Sequence, residues 1–291
     1  MKKLLAMAVT AAFTVSMLAG CGQSAETTDA SAQETTQETE AADEETAGTA
    51  DAASEDTAER TTFTVGFDAE FPPYGYMDES GEYTGFDLEL AQEVCDRNGW
   101  ELVKQPIDWD SKDMELSSGA IDCIWNGFTM NGREDAYTFS VPYVDNSQVF
   151  VVAADSGITA FDDLAGKNVG VQKDSSALAA LEGDAADLAA TFGNLTQYSD
   201  YNTAFMDLEQ GAIDALAIDV GVADYQIASR GEGFVKLSEN LASEQYGIGF
   251  KLGNVELKDQ VEKTLLEMAD DGTFGKIAEK YGLSDSVCLG K

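Results

Sequence analysis

The chain has 291 residues, with 54 aspartates and glutamates against 17 lysines and arginines, and a formal net charge of −37. That balance excludes a nucleic-acid partner, whose phosphates demand Lys and Arg patches, and a basic amphipathic contact with a membrane. There is no histidine, so serine–histidine hydrolysis, His-ligated zinc and histidine general acid–base catalysis are excluded as well. No metal and no other cofactor is expected.

Residues 1–20 read as a targeting signal. Lys2 and Lys3 supply its positive end, residues 4–18 are apolar but too short to span a bilayer comfortably, and Leu18-Ala19-Gly20-Cys21 follows at once. That tetrapeptide resembles the lipobox of bacterial lipoproteins. The resemblance implies acylation of Cys21 (palmitate), membrane contact through the lipid anchor alone, and an extracytoplasmic location facing the periplasm or the cell surface. The competing reading is an ordinary secretory signal with a chance cysteine. Residues 21–61 then form the anchor cysteine and an acidic linker rich in Ala, Thr, Ser, Gln, Glu and Asp. It has no aromatic residue and is too polar to offset its chain entropy by burial, so it is expected to be disordered and extended.

The globular part begins with the alternating strand Phe63-Thr64-Val65-Gly66-Phe67. It runs into Asp68-Ala69-Glu70-Phe71-Pro72-Pro73-Tyr74, a loop stiffened by two prolines. A helix follows Gly85-Phe86-Asp87, with Leu88, Ala91 and Cys95 on one face and Asn98-Gly99 closing it. A strand over 100–104, the Ile107-Asp108-Trp109 segment and a short helix ending near Gly119 come next. The apolar run 121–125 reads as a buried strand that breaks at Asn126-Gly127. Thr129 and Arg133 follow on the loop, and an arginine fork matches a carboxylate bidentately. The plainer reading pairs Arg133 with Glu134 or Asp135 at the surface.

Beyond Pro142-Tyr143, residues 148–153 are continuously apolar and cross into a second lobe. There Val169-Gly170-Val171 is a strand leading to Gln172 and to Ser175 and Ser176. These two serines suit a helix N-cap, and capping is compatible with anion binding. Residues 245–250 read as a return strand. Val255, Leu257, Val261, Leu265 and Met268 form an amphipathic helix ending at Gly272, and residues 274–281 form the last helix. Cys95 and Cys123 sit in apolar segments and read as core residues, while the sequence leaves any disulfide among Cys95, Cys123 and Cys288 open.

An internal echo links the two halves. Met114-Glu115-Leu116-Ser117-Ser118-Gly119-Ala120-Ile121-Asp122 has its counterpart in Met206-Asp207-Leu208-Glu209-Gln210-Gly211-Ala212-Ile213-Asp214. Both read as helix, glycine cap and apolar strand, which implies two similar α/β lobes. The strand ends at Asn126-Gly127 and at Asp219 then face each other across a cleft, since ligands of open α/β sheets bind at the carboxyl ends of strands.

Over residues 63–283 this pattern resembles the amino-acid-binding branch of bacterial ABC-transporter solute-binding proteins. The resemblance is carried by Phe71-Pro72-Pro73-Tyr74, Gly85-Phe86-Asp87-Leu88, Gly127-Phe128-Thr129 with Arg133, Phe139-Ser140 with Pro142-Tyr143, Asp163-Leu164 with Gly166-Lys167, and Gln245-Tyr246-Gly247-Ile248. It implies an α/β, two-lobed periplasmic-binding-protein-like fold of type II, with lobe 1 formed by 62–147 and 245–291, lobe 2 by 148–244, and two crossing strands between them. It further implies that Arg133 and Thr129, with N–H groups near Ser175 and Ser176, hold the α-carboxylate of a free amino acid. Asp219 and the carbonyl of Asn126 or Gly127 would take the ammonium, and Asp68, Phe71, Trp109 and Gln172 would surround the side chain. No lysine or second arginine falls among those positions, which favours a polar neutral or cationic ligand. The expected protein is a monomer that delivers its ligand to an ABC transporter permease and performs no catalysis. The alternative is an extracellular cyclohexadienyl or arogenate dehydratase-like enzyme on the same fold, with Asp68 or Glu70 as general acid.

Overall fold

The structure is a computed structural model that describes residues 60–290. The targeting signal, Cys21 and nearly all of the acidic linker lie outside the described residues.

Strand β1 (Thr62–Phe67) puts Phe63, Val65 and Phe67 into the core, as its alternation requires. A small antiparallel sheet of β2 (Glu70–Phe71), β3 (Gly75–Met77) and β4 (Tyr83–Thr84) folds the proline loop back. Helix α1 (Phe86–Asn98) buries Leu88, Ala91 and Cys95 with Phe86, Leu90 and Val94. Each large apolar side chain so buried contributes about 1.5–3 kcal/mol. Gly99 ends the helix in a left-handed conformation, its N–H on the Cys95 carbonyl. Then come β5 (Glu101–Pro106), α2 (Lys112–Ser118), the two-residue β6 (Cys123–Ile124), β7 (Tyr137–Phe139) and the long β8 (Val144–Ala153).

The second half runs β9 (Asn168–Gln172), α3 (Ser176–Glu182), α4 (Ala186–Ala189), β10 (Asn194–Tyr198), α5 (Tyr201–Glu209), β11 (Ala215–Asp219), α6 (Val220–Arg230) and β12 (Phe234–Lys236). It closes with β13 (Ala242–Tyr246), β14 (Gly249–Lys251), α7 (Val255–Asp270) and α8 (Thr273–Lys280). Helix α7 buries Leu257, Val261, Leu265 and Met268, the stripe its spacing predicts, while Val255 at its start stays exposed. Cys95 and Cys123 are buried free thiols.

Among the described residues, two main sheets form: β5-β1-β6-β14-β7 and β10-β9-β11-β8-β12, with β13 also paired to β8. This is the two-lobed α/β arrangement. The chain leaves the first sheet after β7 and returns to it at β14, and the passages lie side by side because β8 and β13 pair antiparallel, Val144 opposite Tyr246. The return strand expected over 245–250 is split by this geometry. Tyr246 still belongs to the second sheet, whereas Gly249 pairs with Ile124 and Phe139 of the first. Gly247-Ile248 is where the chain changes sheets, and one strand cannot belong to both ladders.

The echo is structural. Gly119 caps α2 and Gly211 follows the Gln210 cap of α5, and both glycines take the left-handed conformation. Asp122 accepts from the Thr64 N–H at 2.7 Å, and Asp214 accepts from the Asn168 N–H at 2.8 Å. Each aspartate thereby ties its strand to the neighbouring parallel strand, β1 or β9, and the two copies of the echo build the same junction.

Candidate functional site

Strand β6 stops after Ile124, and the chain turns through Asn126 and Gly127. Gly127 has φ +56°, and a Cβ there would stand 2.9 Å from both the Phe71 and Tyr246 rings, so only glycine fits. Its N–H donates to Asp87 Oδ2 at 2.6 Å, and the Tyr143 hydroxyl donates to the same oxygen at 3.0 Å. Asp87 is fully buried, its Oδ1 has no partner, and burial pushes its carboxyl up to about 7. Asn126 accepts through Oδ1 from the Asp68 N–H at 2.9 Å, and Asp68 Oδ1 accepts from the Glu70 N–H at 2.8 Å. The loops that end β1 and β6 are thus fastened to each other.

Arg133 does not pair with Glu134 or Asp135; it has no ion pair among the described residues and turns inward. Nη1 donates to the Thr129 carbonyl at 3.1 Å and Nη2 to the Asp174 carbonyl at 3.2 Å, with the guanidinium 5.0 Å from the centre of the Phe128 ring. The short turn at Asn131-Gly132 is pinned by Asn131 Oδ1, which accepts from the Gln245 N–H at 2.7 Å.

On the opposite side, β9 ends at Gln172 and Ser175 caps α3. The Ser175 hydroxyl accepts from the Leu178 N–H at 3.1 Å and donates to the Gln172 carbonyl at 2.8 Å, so its side chain is engaged in capping. Asp174 has φ +54°, the left-handed region that aspartate tolerates better than most residues. Strand β11 ends at Asp219, whose Oδ1 accepts from Asn146 Nδ2 at 2.9 Å, Gln148 Nε2 at 2.6 Å and the Tyr246 hydroxyl at 2.6 Å. Among the described residues its Oδ2 accepts only from the Tyr201 hydroxyl, at 3.3 Å, so that oxygen keeps acceptor capacity. Burial, and then the nearby Glu244 charge, push Asp219 up to about 7.

Between these strand ends lies a small, nearly filled cavity of about 10 Å³ lined by Phe71, Trp109, Gly127, Thr129, Arg133, Gln172, Ser175, Ser176 and Asp219. Nine of the eleven expected residues thus meet at one place. Asp68 and Asn126 stand beside it in the strand-end scaffold, and Gln172 Nε2 donates to Asp68 Oδ2 across the cleft at 2.7 Å. Burial raises Asp68 to about 6.

The sequence did not reveal two charged residues. Glu244 on β13 is buried against Thr129, Asn146, Gln148 and Ser176. The signal was its spacing of two from Tyr246, which puts both on one face of a strand. Lys112, 2% exposed, pairs with Asp174 from the opposite sheet and lies 5.2 Å from the centre of the Trp109 ring. Arg133 is the one cation that lines the cavity among the described residues; Lys112 stands outside it against Trp109, and its charge is taken up by Asp174. A larger apolar hollow lined by Met114, Leu116, Tyr137 and Leu252 holds none of the expected residues. Among the described residues no cluster of metal-ligating side chains occurs, and no helix is long and apolar enough to cross a membrane.

Two sheets linked by paired crossover strands, with their strand ends converging on one small polar cavity, define the class of two-lobed solute-binding proteins. The profile of the bacterial extracellular solute-binding proteins, family 3, matches residues 63–284, and the chain belongs to that family. It is 30% identical to the L-cystine-binding protein TcyJ of Escherichia coli K12 over 226 residues, 77% of this chain and 83% of the relative. A substrate-binding protein of an ABC uptake transporter from Streptococcus pneumoniae, solved with bound histidine, superimposes with a TM-score of 0.75 at 34% identity, over 78% of this chain and 94% of the other. The ancestral amino-acid-binding protein AncCDT-1, described as a precursor of cyclohexadienyl dehydratase, gives a TM-score of 0.69 at 28% identity, over 76% of this chain and 95% of the other.

Proposed function

We propose that the protein captures one free amino acid outside the cytoplasmic membrane and hands it to an ABC transporter permease. The observation that carries this reading is the convergence of Arg133, Thr129 and Asp219 on one cavity with Phe71, Trp109 and Gln172. Arg133 provides the carboxylate fork and Asp219 Oδ2 the ammonium acceptor. Asp68 and Gln172 face the distal end of the side chain, and Phe71 and Trp109 flank it. In this reading lobe 1 comprises 62–147 and 245–291 and lobe 2 comprises 148–244, and the two close on the ligand as a hinged clamp. The protein acts as a monomer held to the membrane by a lipid on Cys21.

The ligand is polar neutral or cationic, with glutamine, arginine and cystine first to test. Asp68, Asp219 and Glu244 have no ion pair among the described residues, while Lys112 is occupied by Asp174. An acidic side chain therefore meets negative charge with no free cation to offset it. The experiment is a thermal-shift panel of single amino acids, together with mass spectrometry of small molecules carried through purification. A ligand at a hundred times its Kd stabilises the native state by about 2.7 kcal/mol. No shift with any amino acid would remove the reading, and a larger shift with glutamate or aspartate than with every neutral and basic member would overturn the side-chain assignment alone.

One observation favours a second reading. Asp68, raised to about 6, has the protonation behaviour of a general acid at the cleft, and AncCDT-1 is described as a dehydratase precursor. Turnover of prephenate or arogenate would establish that reading, and its absence would leave binding.

A further inference from the structure

Glu244 is a buried carboxylate at the cleft that the expected ligand set does not include. Its Oε1 accepts from Thr129 Oγ1 at 2.9 Å, Asn146 Nδ2 at 2.7 Å, Gln148 Nε2 at 2.8 Å and Ser176 Oγ at 3.2 Å. An ionised carboxylate only accepts, so each of those groups must point a proton at it. Thr129 and Ser176 also line the cavity. A hydroxyl has one proton, and once that proton lies on Glu244 the oxygen offers only lone pairs to anything else. The two amides obey the same demand: both direct their NH₂ groups to Glu244 and Asp219, and Asn146 Oδ1 and Gln148 Oε1 are left buried without partners.

We propose that Glu244 is a positioning residue that sets ligand specificity. By taking the hydroxyl protons of Thr129 and Ser176, it makes the cavity wall an array of acceptors and selects an amino acid with an additional cation over one with an additional anion. The inference rests on the amino-acid-binding reading. Under it, the α-carboxylate depends on Arg133, because the two hydroxyls nearest it have no proton to donate. A second carboxylate on the ligand meets lone pairs and the charges of Asp68, Asp219 and Glu244. A second cation meets acceptors.

The test compares the purified full chain with Glu244→Gln, titrated by calorimetry with L-arginine, L-glutamine and L-glutamate, weak ligands being measured by displacement. Glutamine keeps the shape and removes the charge, and its own amide can donate, which frees the Thr129 and Ser176 protons for the ligand. The expected result is that the ratio Kd(glutamate)/Kd(arginine) falls about 10-fold or more in the variant, the size of one lost charge-assisted interaction. A pH readout separates this from a merely structural role. The groups facing the Asp219–Glu244 pair are Thr129 from the loop after β6, Asn146 and Gln148 from β8, Ser176 from α3, Tyr201 from α5 and Tyr246 from β13, and none carries positive charge. Lowering the pH through the value of about 7 to which Asp219 is raised should therefore narrow the wild-type ratio by protonating Asp219. In Glu244→Gln the same narrowing should shift to lower pH, because the Glu244 charge that adds to the burial effect on Asp219 is gone.

An unchanged ratio in a variant that still binds arginine would overturn the inference and leave the functional reading standing. If Glu244→Gln loses its cooperative melt, Thr129→Val decides instead: the inference expects its ratio to fall in the same direction, and an unchanged ratio overturns it. A wild type that binds no amino acid would overturn the functional reading, and the inference with it.

Discussion

Gln172 donates to Asp68 across the cleft at 2.7 Å, and the two residues stand at equivalent places, Asp68 just after β1 and Gln172 at the end of β9. The other pair of strand ends meets through Glu244, whose Oε1 accepts from Thr129 Oγ1 at 2.9 Å and from Ser176 Oγ at 3.2 Å. Both links are local to the cavity, and under the proposed hinged clamp a ligand that replaces them would hold the closed form. A ligand shifts such an equilibrium only by its differential affinity for the two forms, so cavity-lining side chains are where affinity is set.

Arg133→Lys keeps the charge and loses the planar fork. Affinity for the cognate amino acid should fall about 10-fold or more, given charge-assisted bonds worth about 1.5–3 kcal/mol. Asp219→Asn should weaken the same ligand through its ammonium. Unchanged affinity of both variants in calorimetry would remove the proposed site.

Lys112 and Asp174 make an ion pair whose members differ in exposure, 2% and 52% for their side chains. Removing Asp174 leaves a buried ammonium unpaired, whereas removing Lys112 leaves a carboxylate that water can solvate. Asp174→Ala should therefore destabilise more than Lys112→Met, approaching the roughly 3–5 kcal/mol that breaking a buried pair costs. Thermal melts of the two variants check this, and equal or reversed losses would show that Lys112 does not depend on Asp174 in solution.

Asp87 gives a pH signature. Its carboxyl is raised from 3.8 to about 7, so the native state holds its proton more tightly than the unfolded chain does. The stabilisation is fully present below 3.8 and is lost as the pH rises through about 7, each unit of difference being worth about 1.4 kcal/mol. Asparagine can still accept from Gly127 and Tyr143 and has no proton to lose. The melting temperature of Asp87→Asn should fall less steeply over that window than that of the wild type, and parallel profiles would remove Asp87 as the cause.

Cys21→Ala tests the anchor. The thiol is the expected acylation site, and the acidic linker that follows has no membrane affinity of its own. The variant should be secreted or remain unprocessed. Recovery of a signal-cleaved variant in the membrane fraction would exclude the lipid as the attachment.

Much of this fold was legible because its rules are local. The alternation of Phe63, Val65 and Phe67, the stripe from Leu257 to Met268, the Ser175 cap and the glycine stops at Gly99, Gly119 and Gly211 each depend on residues within a turn or two. The nine-residue echo was legible for the same reason, since both copies close their junction with groups inside the repeat and one neighbouring strand. Most of the cavity lining was reached differently, through resemblance, because no local pattern says that Trp109, Gln172 and Asp219 will meet.

What only the tertiary structure decided has one physical cause, pairing between residues far apart in the chain. The division of the return strand at Gly247-Ile248 follows from β13 finding β8 while β14 finds β6 and β7. Glu244 reads locally as an ordinary acid on a strand, and its burial depends on donors 68 to 115 residues away. Lys112 reads as a solvated helix-start lysine until Asp174, 62 residues on, is brought over it from the other sheet. Propensity and periodicity act over a few residues and so settle the elements. A buried charge is tolerated only where the completed fold supplies its partners, so the polarity of the cleft belongs to the tertiary structure.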